Sequence, residues 1–131
     1  MPGSVLLDSN ILILASKQKL DINLIVRTYD EIFTSIVAKI EVIGYNFSTT
    51  QEQVDLEDFL DTMTVLPLTE DIAQHAIHYR RTRRIKLPDA AILATARHVG
   101  ADLLTENTAD FRSLDPAVRV LSLADLSAAA T

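Results

Sequence analysis

Short apolar runs that alternate with helical patterns are the feature that most constrains the fold of this chain. These runs have the length of buried strands, and apolar residues at three- and four-residue spacing follow them. Strands that alternate with helices favour a parallel sheet, because each connection then crosses back over the sheet. The sequence therefore predicts an α/β fold with parallel strands at 4–7, 31–35, 64–68, 102–105 and 118–122.

Capping residues between these strands predict where the helices begin and end. Helices are expected over 9–16 and 21–29, from Thr34 or Ser35 to about Asn46, over 50–61, from Thr69 onward, over 88–99 and over 123–129. The helix over 50–61 is strongly acidic, and we expect Val54, Phe59 and Leu60 to be its apolar anchors.

The length and composition of the chain restrict its class. Its 131 residues suffice for one compact domain, residues 1–131, with a single core. The absence of cysteine excludes disulfides and thiolate metal sites. The N-terminus lacks the pattern of a signal peptide, and no apolar run approaches the ~20 residues that span a bilayer. We therefore expect a soluble, cytoplasmic protein without a membrane association.

Four carboxylates are expected to meet at one edge of the sheet. Asp8 directly follows the first strand, and Asp110 lies in the loop after the fourth. Asp89 lies in the first turn of the helix that Pro88 begins, and Glu41 lies on the third helix. Ligands of parallel sheets gather at the carboxyl ends of the strands, where Asp8 and Asp110 emerge. Clustered carboxylates need cations to offset their repulsion, and magnesium or manganese prefers such oxygen ligands.

Each acid also has an ordinary structural role as an alternative. Asp8 can cap its helix, and Asp89 can complement a helix dipole. Asp110 can stabilise a turn, and Glu41 can be a solvated acid. No paired-histidine spacing suggests zinc, and no glycine-rich phosphate loop is present. Spacing alone leaves these alternatives open.

Four stretches taken together resemble the PIN-domain ribonucleases, most closely the VapC-type toxins of bacterial toxin–antitoxin pairs. The stretches are "VLLDSNILI" from Val5, Ser35 followed by Glu41, "LPDAAILATA" from Leu87, and "LLTENTADF" from Leu103. Their order, their spacing and the length of the chain all fit, so the resemblance covers essentially the whole chain.

The resemblance implies a PIN-like α/β/α sandwich, with a central parallel sheet of about five strands flanked by helices, and a magnesium-dependent endoribonuclease. In such an enzyme a metal-activated water cleaves RNA, and manganese can replace magnesium. The implied catalytic and metal-binding residues are Asp8, Glu41, Asp89 and Asp110, with Asn10, Thr105 and Asn107 in supporting positions. Many relatives carry aspartate where this chain has Asn107, while others carry asparagine, and the missing charge is expected to weaken a second metal site. The resemblance further implies a homodimer and a cognate antitoxin protein.

A run of five bases precedes Asp89 without an intervening acid. It consists of Arg80, Arg81, Arg83, Arg84 and Lys86. Bases at a helix C-terminus complement its dipole, and their stems cover apolar surface. The same bases could hold RNA phosphates that flank the cleaved bond, or an acidic part of an antitoxin. The net charge of −6 does not exclude RNA binding by so local a patch.

Two other functions compete with the nuclease. One is a catalytically silent PIN-like module that binds RNA or protein, although such a module has no need for a repulsive acid cluster. The other is a magnesium-dependent phosphatase or DNA nuclease that uses the same carboxylates. Pocket chemistry alone does not separate these phosphate reactions.

Overall fold

Five parallel strands form the sheet at the centre of the molecule, as the alternating pattern predicts. The computed structural model describes residues 3–130. The strands are β1 (Ser4–Leu7), β2 (Glu31–Ser35), β3 (Thr64–Leu66), β4 (Asp102–Leu104) and β5 (Val120–Leu121). Their order across the sheet is β3-β2-β1-β4-β5, and every neighbouring pair is parallel. The expected α/β fold is confirmed, although β3 and β5 are shorter than predicted.

Helices connect the strands and flank the sheet, which gives the α/β/α architecture. They are α1 (Ser9–Ser16), α2 (Ile22–Thr28), α3 (Ile36–Ile43), α4 (Thr50–Asp61), α5 (Glu70–Thr82), α6 (Leu87–Val99), α7 (Thr108–Phe111) and α8 (Leu123–Ala130). Hydroxyl side chains begin several of them: Ser35 accepts a hydrogen bond from the Val37 amide, and Thr69 accepts one from the Ile72 amide. Gly100 ends α6 in the left-handed conformation. No helix within residues 3–130 is long and apolar enough to cross a membrane.

Three details of the predicted helices are wrong. The third helix ends at Ile43, before Gly44, rather than near Asn46. In α4, Phe59 and Leu60 are buried as predicted, but the third buried anchor is Leu56, and Val54 is 41% exposed. Leu56 shares one helical face with Phe59 and Leu60, three and four positions further on, and Val54 points elsewhere. The predicted loop after β4 contains the short helix α7.

The core lies around β1, which is the central strand of the sheet. Val5, Leu6 and Leu7 are completely buried, as expected for a parallel strand covered on both faces. Helix α6 is buried from Ala90 to Ala96 and packs along α5, while α2 packs against α8. Both β1 and α6 are therefore part of the core, and each positions an acid of the predicted site, since Asp8 directly follows β1 and Asp89 lies in the first turn of α6.

The order of the strands places a crevice beside β1. The chain runs outward from β1 to β2 and β3 and then returns to β4 on the other side of β1. Ligands of open parallel sheets bind at the carboxyl ends of the strands where the winding direction changes in this way. Asp8 follows β1 and Thr105 follows β4 at that point. The topology therefore singles out this end of the β1–β4 pair as the candidate site.

Candidate active site

Asp8 is both the N-cap of α1 and a member of the acid cluster. Its side chain is buried, with 4% exposed, and its Oδ1 accepts a 2.8 Å hydrogen bond from the Ser9 amide. Its own backbone N–H donates to the carbonyl of Leu104 at 3.0 Å, which continues the pairing of β1 with β4. The capping alternative for Asp8 is thus part of its structure, and it fixes the carboxylate at the end of the strand.

A buried network of side chains from two distant parts of the chain orients Asp8. Thr105 Oγ1 donates to Asp8 Oδ2 at 2.7 Å, and Asn10 Nδ2 donates to the same oxygen at 3.2 Å. Asn10 Nδ2 also donates to Thr105 Oγ1 at 3.2 Å, and Asn10 Oδ1 accepts from the Glu106 amide at 3.1 Å. The predicted supporting residues Asn10 and Thr105 therefore contact Asp8 directly.

Ser9 links Asp8 to Glu41, a role that was not predicted from the sequence. Its hydroxyl lies 2.9 Å from Glu41 Oε1 and 3.3 Å from Asp8 Oδ1. A hydroxyl has one proton, so it donates to one acceptor at a time, and the shorter contact to Glu41 is favoured. Asp8 Oδ1 then keeps acceptor capacity for another ligand. The sequence offered one indication of this role: Ser9 is a hydroxyl residue at the first position of α1, directly after Asp8.

Asp110 is held by Asn107 on the other side of the crevice. Asn107 Nδ2 donates to Asp110 Oδ2 at 2.7 Å, and the Asn107 amide donates to Thr105 Oγ1 at 3.0 Å. Both residues belong to the exposed segment that contains α7, in contrast to the buried Asp8. The side chain of Asn107 is neutral, so it does not repel Asp110 as a carboxylate would, and its Nδ2 orients Asp110.

Asp89 is the acid on which the other three act. Burial raises its pKa, and the negative charges of Asp8, Glu41 and Asp110 raise it further, while Lys86 opposes them. Asp89 is also the one acid of the four with no hydrogen-bond donor among residues 3–130, since the others accept from Ser9, Asn10, Thr105 or Asn107. The structure thus brings all four predicted acids into one electrostatic cluster around Asp89.

The cluster fits a hard divalent cation in charge and in donor type. It offers four carboxylates, whose oxygens are the ligands that magnesium and manganese prefer. Within the described part of the chain, however, no three histidine, aspartate or glutamate side chains converge closely enough to hold a metal ion as they stand. Asp8 is fixed by its hydrogen bonds, so Asp89, Glu41 and Asp110 are the side chains that would have to turn inward.

Bases border the cluster on the side of α6 and α7. One cavity of about 370 Å³ is lined by Arg84, Lys86, Asp89, Asp110 and Arg112, among others. Of the predicted basic run, Arg84 and Lys86 reach this cavity. Arg112 was not singled out by the sequence, because it lies far along the chain from the other bases.

The remaining bases of the run do not line that cavity. Arg80 Nη1 donates to the Ile85 carbonyl at 2.7 Å, and Arg83 Nη1 donates to the Thr82 carbonyl at 3.0 Å. Arg81 lines an apolar groove on α5 and α6 that also contains Arg80. The basic run is therefore divided between local backbone contacts, a groove and the border of the acid cluster.

The histidines lie apart from the acids. His75 on α5 and His98 on α6 face each other with ring centroids 6.4 Å apart, and His78 lies beside Tyr79. These positions agree with surface and packing roles.

Comparison with known proteins identifies a family and several structures with this fold. The family model of the PIN domain matches residues 5–116. A toxin–antitoxin complex from Klebsiella pneumoniae contains a chain that is 29% identical, with a TM-score of 0.72 and coverage of 91% of this chain and 97% of that one. A comparison with curated proteins found no match.

Two further structures illustrate the range of similarity. A member of the VapBC family of toxin–antitoxin systems from Mycobacterium tuberculosis is 26% identical, with a TM-score of 0.65 and coverage of 92% and 98% of the two chains. A DNA-bound VapBC from Salmonella typhimurium is 20% identical, with a TM-score of 0.76 and coverage of 94% and 99%. At that identity the Salmonella structure is evidence for the fold alone.

Proposed function

The chain belongs to the PIN-domain family, and from that premise we propose that it is a magnesium-dependent endoribonuclease, the VapC-type toxin of a toxin–antitoxin pair. The observation that carries the proposal is Asp89, a carboxylate with no hydrogen-bond donor among residues 3–130 that is repelled by the charges of three other carboxylates at the crevice beside β1. Its place in the first turn of α6 complements the helix dipole, but that role does not require three further carboxylates nearby. Their mutual repulsion is unfavourable without a cation, which supports a cation-binding site.

The four acids would hold the cation. Asp8 and Asp89 are the most direct ligands in this proposal, and Glu41 and Asp110 complete the pocket. When bound, a magnesium or manganese ion supplies an activated water and stabilises the charged leaving oxygen of a phosphodiester. The neutral Asn107 in place of a carboxylate favours one tightly bound ion over two in the free protein.

The surrounding residues orient the acids. Thr105 and Asn10 fix Asp8 through its Oδ2, and Ser9 holds Glu41. Asn107 holds Asp110. Groups that orient metal ligands in this way preorganise a site, and their loss typically lowers metal affinity or activity about 10–100-fold.

The proposed partners are RNA, an antitoxin and a second copy of the chain. The similar structures from Klebsiella pneumoniae and Mycobacterium tuberculosis are described as toxin–antitoxin systems, which supports an antitoxin for this chain. The homodimer and the single nuclease domain over residues 1–131 rest on family resemblance.

Cleavage of a mixed RNA pool by wild type and by Asp89→Asn tests the function. We expect cleavage that requires magnesium, stops with a chelator and is lost in Asp89→Asn. Asp71→Asn is the matched control, because Asp71 is an exposed acid in the first turn of α5, as Asp89 is in the first turn of α6. Equal cleavage by wild type and Asp89→Asn would contradict the assigned site, and RNA binding without cleavage by wild type would favour the silent binding module.

A further inference from the structure

We propose that Arg84, Lys86 and Arg112 form a subsite that binds a phosphate of the RNA strand next to the cleaved bond. The proposal rests on the proposed nuclease function and deepens it, because it names the groups that hold the substrate. Two of the three bases come from the segment before α6, and the third comes from the end of α7.

The first observation is that these bases and two of the acids share one cavity. Arg84, Lys86, Asp89, Asp110 and Arg112 line a space of about 370 Å³. The three bases therefore line the space that an RNA strand with its scissile phosphate at Asp89 and Asp110 would enter. Guanidinium and ammonium groups are the side chains that bind phosphate oxygens in proteins.

The second observation is that the basic surface continues away from the acids. A neighbouring cavity of about 450 Å³ shares Arg84, Ile85 and Lys86 with the first and adds Arg80 and Arg83. The two spaces together form a basic track that leads from the acid cluster along the segment before α6. A track of this kind suits a ligand whose negative charges recur along a chain, as in single-stranded RNA.

The third observation is that some bases of the run already donate hydrogen bonds within the protein, whereas others do not. Arg80 and Arg83 donate to backbone carbonyls within the run. Arg84 and Lys86 are exposed, and neither side chain has a hydrogen bond or an ion pair with any other described residue. Capping the end of α5 therefore explains Arg80 but not Arg84 or Lys86, and Lys86 acts on Asp89 through its charge without forming an ion pair.

Arg112 is engaged only at the surface. Its guanidinium pairs with Asp125 in the first turn of α8, and half of its side chain is exposed, at 51%. Asp125 has a second role, since its Oδ2 accepts a 3.0 Å hydrogen bond from the Ser122 amide. An exposed ion pair of this kind contributes little to stability. Arg112 can therefore leave Asp125 to bind a phosphate, while Asp125 keeps its hydrogen bond from the Ser122 amide.

Binding of fluorescein-labelled oligouridine to the full-length protein, measured over a salt series with chelator present, tests the subsite without cleavage. We expect Arg84→Ala, Lys86→Ala and Arg112→Ala each to weaken binding and to reduce the slope of log K against log salt by about 0.7, the value for one phosphate contact with a single strand. Arg27→Ala is the matched control, since Arg27 is exposed in the last turn of α2 and lines neither of the two basic cavities.

Asp125→Asn distinguishes phosphate binding by Arg112 from a structural role of the ion pair. If Arg112 binds phosphate, Asp125→Asn keeps or strengthens binding, because it releases the guanidinium. If the pair only braces α8 against α7, Asp125→Asn weakens RNA binding as much as Arg112→Ala does, and the assignment of Arg112 is overturned.

The remaining outcomes separate the subsite from the nuclease. Magnesium-dependent cleavage by wild type, with unchanged salt slopes in all three base variants, would overturn the subsite and leave the nuclease. Reduced slopes without cleavage by wild type would support the subsite and contradict the nuclease. Unchanged RNA binding with lost binding of a polyglutamate peptide would assign the bases to an acidic protein partner and overturn the subsite.

Discussion

Each of the four clustered acids has different neighbours, and Asp89 has the fewest that compensate its charge. Asp8 accepts from the Ser9 amide, Thr105 and Asn10, so its charge is stabilised inside the protein. Asp89 is partly buried, lacks such donors and is repelled by the other acids, which together raise its pKa. The pKa of Asp89 is higher in the folded than in the unfolded chain, so its ionisation lowers the free energy of unfolding at pH values above the folded pKa. This loss disappears as the pH falls through the folded pKa towards the unfolded value.

Neutralising these two acids should therefore have opposite effects on stability in the absence of metal. With chelator present, we expect Asp89→Asn to raise Tm by a few degrees, because it removes an unfavourable charge. We expect Asp8→Asn to lower Tm, because it weakens hydrogen bonds to a charged acceptor. Magnesium should raise Tm of wild type and leave that of Asp89→Asn nearly unchanged, by linkage. A lower Tm of Asp89→Asn in chelator would contradict the electrostatic account.

At the scale of single residues, the sequence predicts site residues that lie in the stretches resembling the PIN-domain family. Asp8, Asn10 and Thr105 were identified and lie in contact in the structure. Ser9 and Arg112 were missed, because their roles depend on tertiary neighbours: Glu41 for Ser9, and the cavity beside α6 for Arg112. No local pattern announces such partners.

At the scale of elements, helix beginnings were predictable and several ends were not. The cap at Ser35 or Thr69 is a hydrogen bond to an amide two or three residues further along, so both partners can be recognised in the local sequence. The extent of β5 depends on its pairing with β4, which lies on the other side of an intervening helix and turn. Helix α7 carries Asp110 but spans only Thr108–Phe111, too short for a periodic pattern.

One side chain, Asp115, joins α5 and α6 to the turn between α7 and β5 and should make their packing sensitive to acid. It accepts from Tyr79 on α5 at 2.5 Å, and from Arg97 on α6 at 2.7 Å. Burial raises the pKa of Asp115, but the hydrogen bonds from Tyr79, the Ala117 amide and Arg97 outweigh it and hold the pKa below its ordinary value. A lowered folded pKa contributes stability above the unfolded pKa, and that contribution is lost as the pH falls through the folded pKa.

We therefore expect Asp115→Asn to cost about 1.5–3 kcal/mol of unfolding free energy at neutral pH, the range for hydrogen bonds to a charged group. The difference from wild type should be constant above about pH 5 and should narrow below about pH 4, where the carboxylate of the unfolded chain is protonated. Urea denaturation over this pH range measures it, with Asp58→Asn on the exposed face of α4 as control. A difference that widened towards low pH would have the wrong sign.

At the scale of the whole molecule, the two ends of β4 serve different purposes. Beyond its carboxyl end, Thr105 is completely buried and connects Asp8, Asn10 and Asn107 in the crevice. At its amino end, Asp102 accepts from Tyr29 at 2.8 Å and from Arg119 at 2.6 Å. The amino end ties α2 and the start of β5 to the sheet but contains none of the proposed catalytic acids, so function and stability should separate along this one strand.

Substitutions at the two ends test that separation. Thr105→Val and Asp102→Asn each remove a hydrogen-bonded partner, so each should lower the unfolding free energy by about 1–3 kcal/mol. Thr105→Val should also lower the RNA cleavage rate per folded molecule about 10–100-fold, because Asp8 loses the group that orients it. Asp102→Asn should cleave RNA at the wild-type rate and keep the magnesium-induced rise in Tm.

Thr95→Val controls for loss of a buried hydroxyl, since Thr95 donates to the Ala91 carbonyl inside α6. If Asp102→Asn and Thr105→Val lost cleavage equally at matched folded fractions, the network at Thr105 would act through general stability, and its role in orienting Asp8 would be refuted.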